Sequence, residues 1–215
     1  MNWTFTSKAT LPVGTLYGIG RNYAAHAREM GAAVPDDPIV FIKPPSSYAP
    51  DGSIVALPAW SDNVHHEVEL VVVIGIDAEN VTVDDAYKVI AGYGIGLDLT
   101  ARDVQATAKQ RGEPWAVAKG WKGSAPVSHI VPADAAGPGP WTIALDVNGE
   151  RRQHASTATM ERTVAEMISY LSRIFTLRMG DAIFTGTPEG VAQIRRGDRA
   201  VATLDDLTTL RISFA

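Results

Sequence analysis

The segment His65-His66-Glu67-Val68-Glu69-Leu70 runs directly into Val71-Val72-Val73-Ile74-Gly75. An unbroken Val/Ile run reads as a strand buried on both faces, so any fold this chain adopts must pack a layer against each side of it. Side chains alternate along a strand, placing Glu67 and Glu69 on one face and Val68 and Leu70 on the other. Two carboxylates this close raise each other's pKa unless a cation or a shared proton intervenes. A hard divalent ion is the simplest solution. Mg²⁺ favours a few carboxylates with water and substrate oxygens, and the chain has no Cys to suggest a softer metal. A solvated edge strand shows the same Glu-x-Glu spacing, but it does not usually continue into a two-sided apolar run. A third oxygen ligand is therefore expected elsewhere.

At 215 residues with no shift in composition, one domain spanning 1–215 around one sizeable core is expected. The net charge of −5, with no Lys/Arg run longer than two residues, argues against nucleic acid or an anionic membrane as partner. A small anionic substrate remains compatible through a local basic pocket. The absence of Cys excludes disulfides, a thiol nucleophile and Cys-ligated zinc. Apolar runs fall far short of the ~18 residues a spanning helix needs, and Met1 to Gly14 lacks a basic stretch followed by an apolar one. A soluble, cytoplasmic protein is expected.

Along the chain, Gly18 and Gly20 permit close backbone approach or positive φ just before a helical segment, Ala24 to Met30, that ends between Gly31 and Pro38. His26 and Glu29 stand three apart on that helix, where the carboxylate can orient the imidazole. A solvent-facing ion pair has the same spacing. The third glycine of a dinucleotide fingerprint is missing. Ile39 to Lys43 is a strand closed by Pro44-Pro45, and Ile54 to Leu57 a short strand between loops. Thr82 to Ile90 is predicted as a capped helix, and Ala91 to Leu97 as a strand that presents Asp98 at its end, the candidate third ligand. With Thr100 as cap, a helix follows over 101–110, carrying Arg102 and Gln105 three apart and stopping at Gly112.

Lys119 lies in a mostly apolar stretch and offers an anion contact, or a plain surface lysine. Residues 127–140 read as connection. Asn148-Gly149 marks a hairpin between 141–147 and 150–154. Met160, Val164, Met167, Ile168, Leu171 and Ile174 follow helical spacing, with Thr159 near the start and Gly180 beyond the end. The turn Thr185-Gly186-Thr187-Pro188-Glu189-Gly190-Val191 is shaped to offer backbone N–H groups to a carboxylate, and the tail forms a last hairpin.

Five segments, Gly20-Arg21-Asn22-Tyr23 with His26 and Glu29, His66 to Leu70, Gly96 to Asp103, Ala118-Lys119, and Thr185 to Val191, together resemble the fumarylacetoacetate hydrolase family in its short acylpyruvase branch. The resemblance implies an α+β, β-rich fold, a mixed β-roll with flanking helices, assembled as a homodimer. It implies Glu67, Glu69 and Asp98 as ligands of Mg²⁺ or Mn²⁺, and His26 with Glu29 as a water-activating pair on a mobile lid. It further implies that Lys119 stabilises developing negative charge, and that Arg21, Lys43, Arg102, Gln105 and Thr187 hold the carboxylate and oxo groups of a small anionic oxo acid. The implied activity is hydrolysis of the C–C bond of 2,4-dioxo acids such as fumarylpyruvate. Decarboxylation of oxaloacetate, tautomerisation of an oxo acid, and a non-catalytic metal-binding domain are the rival expectations.

Overall fold

The computed structural model describes residues 1–29, 31, 36–137 and 139–215. The Val68–Ile74 strand sits inside an eight-stranded mixed sheet, ordered Ile39–Lys43, Leu16–Gly20, Ala182–Phe184, Val68–Ile74, Ile90–Leu97, Ala125–Val127 and Tyr48–Pro50, with Val131–Pro132 also on Ile90–Leu97. All seven of its residues are buried, as the continuous apolar run requires. A five-stranded sheet packs over one face, ordered Glu150–Ser156, Thr142–Val147, Arg199–Leu204, Thr208–Phe214 and Ile54–Val55.

The main core lies between the sheets. Leu70, Val72, Ile74, Ile95 and Leu97 meet Ile143, Leu145, Leu204, Leu210 and Ile212, and the Val164–Ile174 helix adds Met167, Ile168 and Leu171. Each such side chain contributes roughly 1.5–3 kcal/mol by leaving water. On the opposite face, Val71 and Val73 pack with Trp3, Leu16, Val127, Ile130 and Phe184. Trp3 Nε1 donates to the Gly180 carbonyl at 2.7 Å. The strand pair Asn2–Thr4 and Thr10–Pro12 is thus tied to the loop that precedes Ala182–Phe184.

Gly180 makes that tie possible. Its φ is +92°, and a Cβ there would lie 2.1 Å from the Pro12 carbonyl oxygen. Gly180→Ala combines left-handed strain with a backbone clash, so it is expected to destabilise the protein by about 2–4 kcal/mol. Urea denaturation measures this directly; a midpoint equal to wild type refutes it.

Several elements differ from the sequence expectations. Only a 3₁₀ turn, Ala86–Val89, forms where a helix from Thr82 was predicted, with Thr82 Oγ1 accepting from Asp85 N at 3.3 Å. Thr100 does not cap the following helix, Arg102–Arg111. It belongs to a two-residue strand, and its hydroxyl lies 3.2 Å from Glu67 Oε1. Asp103 ties down that helix start instead, accepting from Ser61 Oγ and the backbone of Val104 and Asp62. The long amphipathic helix begins at Val164 rather than near Thr159, because Thr163 and Glu166 form a reciprocal capping box. Residues 127–140, read as connection, include the Val131–Pro132 strand and the Ala133–Ala136 helix. The Asn148-Gly149 hairpin forms as expected, with φ of 54° and 83° at the two turn residues. The Ala24–Glu29 helix is present, whereas residue 30 and residues 32–35 of its expected end lie outside the described residues.

Candidate active site

Glu69 pairs across the ladder with Gly96, and Val68 with Leu97. One step further, Asp98 N donates to the Glu67 carbonyl at 2.8 Å. This antiparallel register brings Asp98 opposite Glu67, and one oxygen from each of Glu67, Glu69 and Asp98 lies within 4.8 Å of the others, all three residues buried. The third carboxylate expected from the sequence is therefore in place, although Glu67 stands just ahead of the strand rather than within it.

Three cations press against this cluster. Lys119 Nζ donates to Glu67 Oε2 at 2.9 Å and also contacts Asp98 Oδ2. Arg102 reaches Glu67 Oε1 at 2.5 Å, and Lys43 reaches Asp98 Oδ1 at 2.7 Å. Burial pushes Glu67 up, but Arg102 and Lys119 outweigh it and hold the group below the ordinary carboxylate range. Burial also pushes Asp98 up, against the pull of Lys119 and Lys43. Glu69 has no cation of its own in this charge balance. Burial raises it first, Asp98 and Glu67 raise it further, and only the Lys119 charge and the Gly186 N–H, at 2.8 Å, pull the other way. Three hard oxygens with no nitrogen or sulfur, one of them starved of positive charge, suit a hard divalent cation.

Metal uptake must then displace the proton that burial and two neighbouring carboxylates favour on Glu69. Divalent affinity is expected to rise with pH by up to about tenfold per unit while that proton is lost, and to fall on acidification. Calorimetric Mn²⁺ titrations over a series of pH values above the ordinary carboxylate range check the sign; affinity independent of pH throughout refutes it.

A cavity of about 390 Å³ opens onto the carboxylates, lined also by Arg21, His26, Arg102, Gln105, Lys119 and Thr187. His26 Nδ1 lies 3.2 Å from Glu29 Oε2, and Gly190 N donates to both Glu29 oxygens at 3.2 Å. The turn after Ala182–Phe184 does offer N–H groups to carboxylates, but those of Glu29 and Glu69. Left-handed backbone makes this possible at Gly186, φ +97°, and Gly190, φ +91°. In the earlier Gly18/Gly20 stretch, by contrast, the positive φ falls on Arg21, at 50°.

Lys43 does not line the cavity, contrary to the substrate contact implied for it. Its ammonium is enclosed by Asp98, Ser124 Oγ and the carbonyls of Leu99, Lys119 and Ser124, so it positions Asp98. Gln153, on the second strand of the Asn148-Gly149 hairpin, was not among the expected site residues. Its Oε1 accepts from Val68 N at 3.0 Å and from His66 Nδ1 at 3.0 Å, while its Nε2 donates to Thr187 Oγ1 at 2.9 Å. It thereby joins the carboxylate strand to the Thr187 turn across the two sheets. Phe41, Lys109 and Trp115 were likewise not anticipated as cavity residues. Lys109 follows Arg102 and Gln105 at helical spacing, a signal the sequence does hold.

Residues 15–215 match the family model described as fumarylacetoacetate (FAA) hydrolase, C-terminal. Oxaloacetate tautomerase YcgM of Escherichia coli (strain K12) is 44% identical over 202 residues, covering 92% of each chain. The mitochondrial oxaloacetate tautomerase FAHD1 of Mus musculus is 45% identical over 195 residues, 90% of this chain and 88% of that one. The fumarylpyruvate hydrolase from Pseudomonas aeruginosa, solved with Mn²⁺ and pyruvate, superimposes with a TM-score of 0.95 at 40% identity, over 100% of this chain and 95% of its own.

Proposed function

This chain belongs to the fumarylacetoacetate hydrolase family, and from that premise we propose that it is an Mg²⁺- or Mn²⁺-dependent hydrolase of 2,4-dioxo acids, acylpyruvates such as fumarylpyruvate. Water adds to C4, the C3–C4 bond breaks, and its electron pair remains on C3, which takes up the proton removed from the water, so that pyruvate and a carboxylic acid result. The observation that carries this reading is that His26, held by Glu29 from behind, faces the same cavity as three converging carboxylates. The expected homodimer belongs to the same reading, and light scattering of the purified protein tests it.

Glu67, Glu69 and Asp98 would hold the metal. When bound, such an ion supplies Lewis-acid stabilisation of the enolate charge that develops on the pyruvate half. His26 takes a proton from the attacking water, a contribution of roughly 10²–10⁴ in rate. Glu29, anchored by Gly190 N–H, fixes the imidazole so that Nε2 is the basic nitrogen. Lys119 has one ammonium hydrogen beyond those engaged by Glu67 and Asp98, and directs it at the oxyanion on C4. Arg102, Gln105 and Thr187 orient the oxo acid from the cavity wall.

Tautomerisation of oxaloacetate is supported by a separate observation, the 44–45% identity to the two tautomerases across at least 90% of the chain. There His26 would move a proton between C3 and the enol oxygen, with no attacking water. Incubation with 2,4-dioxopentanoate and with oxaloacetate, following pyruvate by a coupled assay and the enol by its ultraviolet absorbance, separates the two. Failure to release pyruvate from any 2,4-dioxo acid with Mg²⁺ or Mn²⁺ overturns the hydrolase reading; accelerated loss of the oxaloacetate enol without pyruvate supports the second.

A further inference from the structure

We propose that Lys109, acting with Arg21, forms a second anion subsite in the cavity and selects oxo acids that carry a carboxylate at the end remote from the 2-oxo acid group. The inference rests on the reading that an oxo acid occupies this cavity, and it names which substrates are preferred there.

Charge balance is the first observation. The three acids Glu67, Glu69 and Asp98 are equalled in number by Lys43, Lys119 and Arg102, which pair with Glu67 and Asp98. Arg21 and Lys109 line the same cavity, and neither has a carboxylate partner within ion-pair distance among the described residues. They are cations in excess of what the protein's own acids require. A bound divalent ion increases that excess, and one carboxylate on the substrate does not offset it.

Placement is the second. Lys109 stands on the Arg102–Arg111 helix seven residues after Arg102, so both project from one face, two turns apart. Arg102 is committed to Glu67, at the inner end of the cavity. The Lys109 ammonium lies 5.0 Å from the centre of the Trp115 ring, and that ring leans on Phe41 at 6.1 Å. An aromatic floor of this kind holds the ammonium at the cavity rim, where the residue stays exposed to an entering anion. Arg21 faces the cavity from the end of the Leu16–Gly20 strand, on a left-handed backbone that an arginine seldom adopts. Lys109 is pushed down by burial and then by Arg102, Arg21 and Lys119, so these cations already share one field, and that field attracts an anion.

The test compares 2-oxoglutarate with 2-oxopentanoate, the same five-carbon 2-oxo acid without its terminal carboxylate, by calorimetric binding to Mn²⁺-loaded protein. Wild type is expected to bind the dianion at least about tenfold more tightly. Lys109→Ala should remove most of that discrimination, Lys109→Glu should reverse it, and Lys109→Arg should restore it. An unchanged preference in Lys109→Ala and Lys109→Glu, with Mn²⁺ affinity intact, overturns the proposal. Binding is read without turnover, so a protein that discriminates yet releases no pyruvate contradicts the hydrolase reading while sustaining this one.

Discussion

Glu69→Gln is expected to lower divalent-metal affinity by about 10²-fold or more while leaving the metal-free protein at least as stable as wild type. The two effects share one cause. Burial, Asp98 and Glu67 raise the pKa of Glu69 in the folded state, so its ionised form opposes folding. For a carboxylate raised on folding, stability declines as pH climbs from the unfolded value through the folded one, and glutamine removes that cost. The amide oxygen still accepts from Gly186 N–H, which holds the side chain at 2.8 Å in the parent. Asp98→Asn is the contrasting variant. Asp98 faces both Lys43 and Lys119, each buried, and its loss leaves two ammonium groups without their main counter-charge. Breaking a buried pair in this way costs about 3–5 kcal/mol, so Asp98→Asn should lose both metal and stability. Mn²⁺ titration beside urea denaturation in chelator measures both quantities. Equal destabilisation by the two variants, or metal uptake retained by Glu69→Gln, refutes the assignment.

His26→Ala should reduce turnover of the proposed 2,4-dioxo acid substrate by about 10²–10⁴-fold with little change in Mn²⁺ affinity, because the imidazole works on a proton and is not a metal ligand. Glu29→Gln should fall less, since it spares the base and weakens only its orientation and the link to Gly190. Steady-state kinetics with the metal-bound variants checks the order. Full hydrolytic activity in His26→Ala removes the proposed base.

Much of this site was legible in the chain because its parts are short-range. The Glu67-x-Glu69 spacing sets two carboxylates together through the pleat alone, and the Val/Ile run after them announces a central strand. His26 and Glu29 lie within one helical turn, and the Asn148-Gly149 hairpin needs only local backbone preference. Three of the misplaced elements failed for the opposite reason. The residues after Thr82 have helical character, but the segment just before them is bonded to Ser172 and Leu177, and only a 3₁₀ turn forms ahead of Ile90–Leu97. Thr100 has a capping side chain, yet it lies beside Glu67 and bonds there. Lys43 looked like a cation at a strand end, and nothing within its own segment reveals that Asp98 and four protein oxygens enclose it.

The amino-acid sequence by itself determined which candidate side chains stand close together along the chain, because residue type and near-neighbour spacing follow from covalent geometry. Tertiary structure alone decided their partners. Sheet register set Asp98 opposite Glu67, the stacking of two sheets brought Gln153 to Thr187, and the packing of one short helix delivered Lys119 to the acids. Each of those contacts spans more than twenty residues of chain, and its energy is defined only once the hydrophobic layers have fixed the distance across which the charges act.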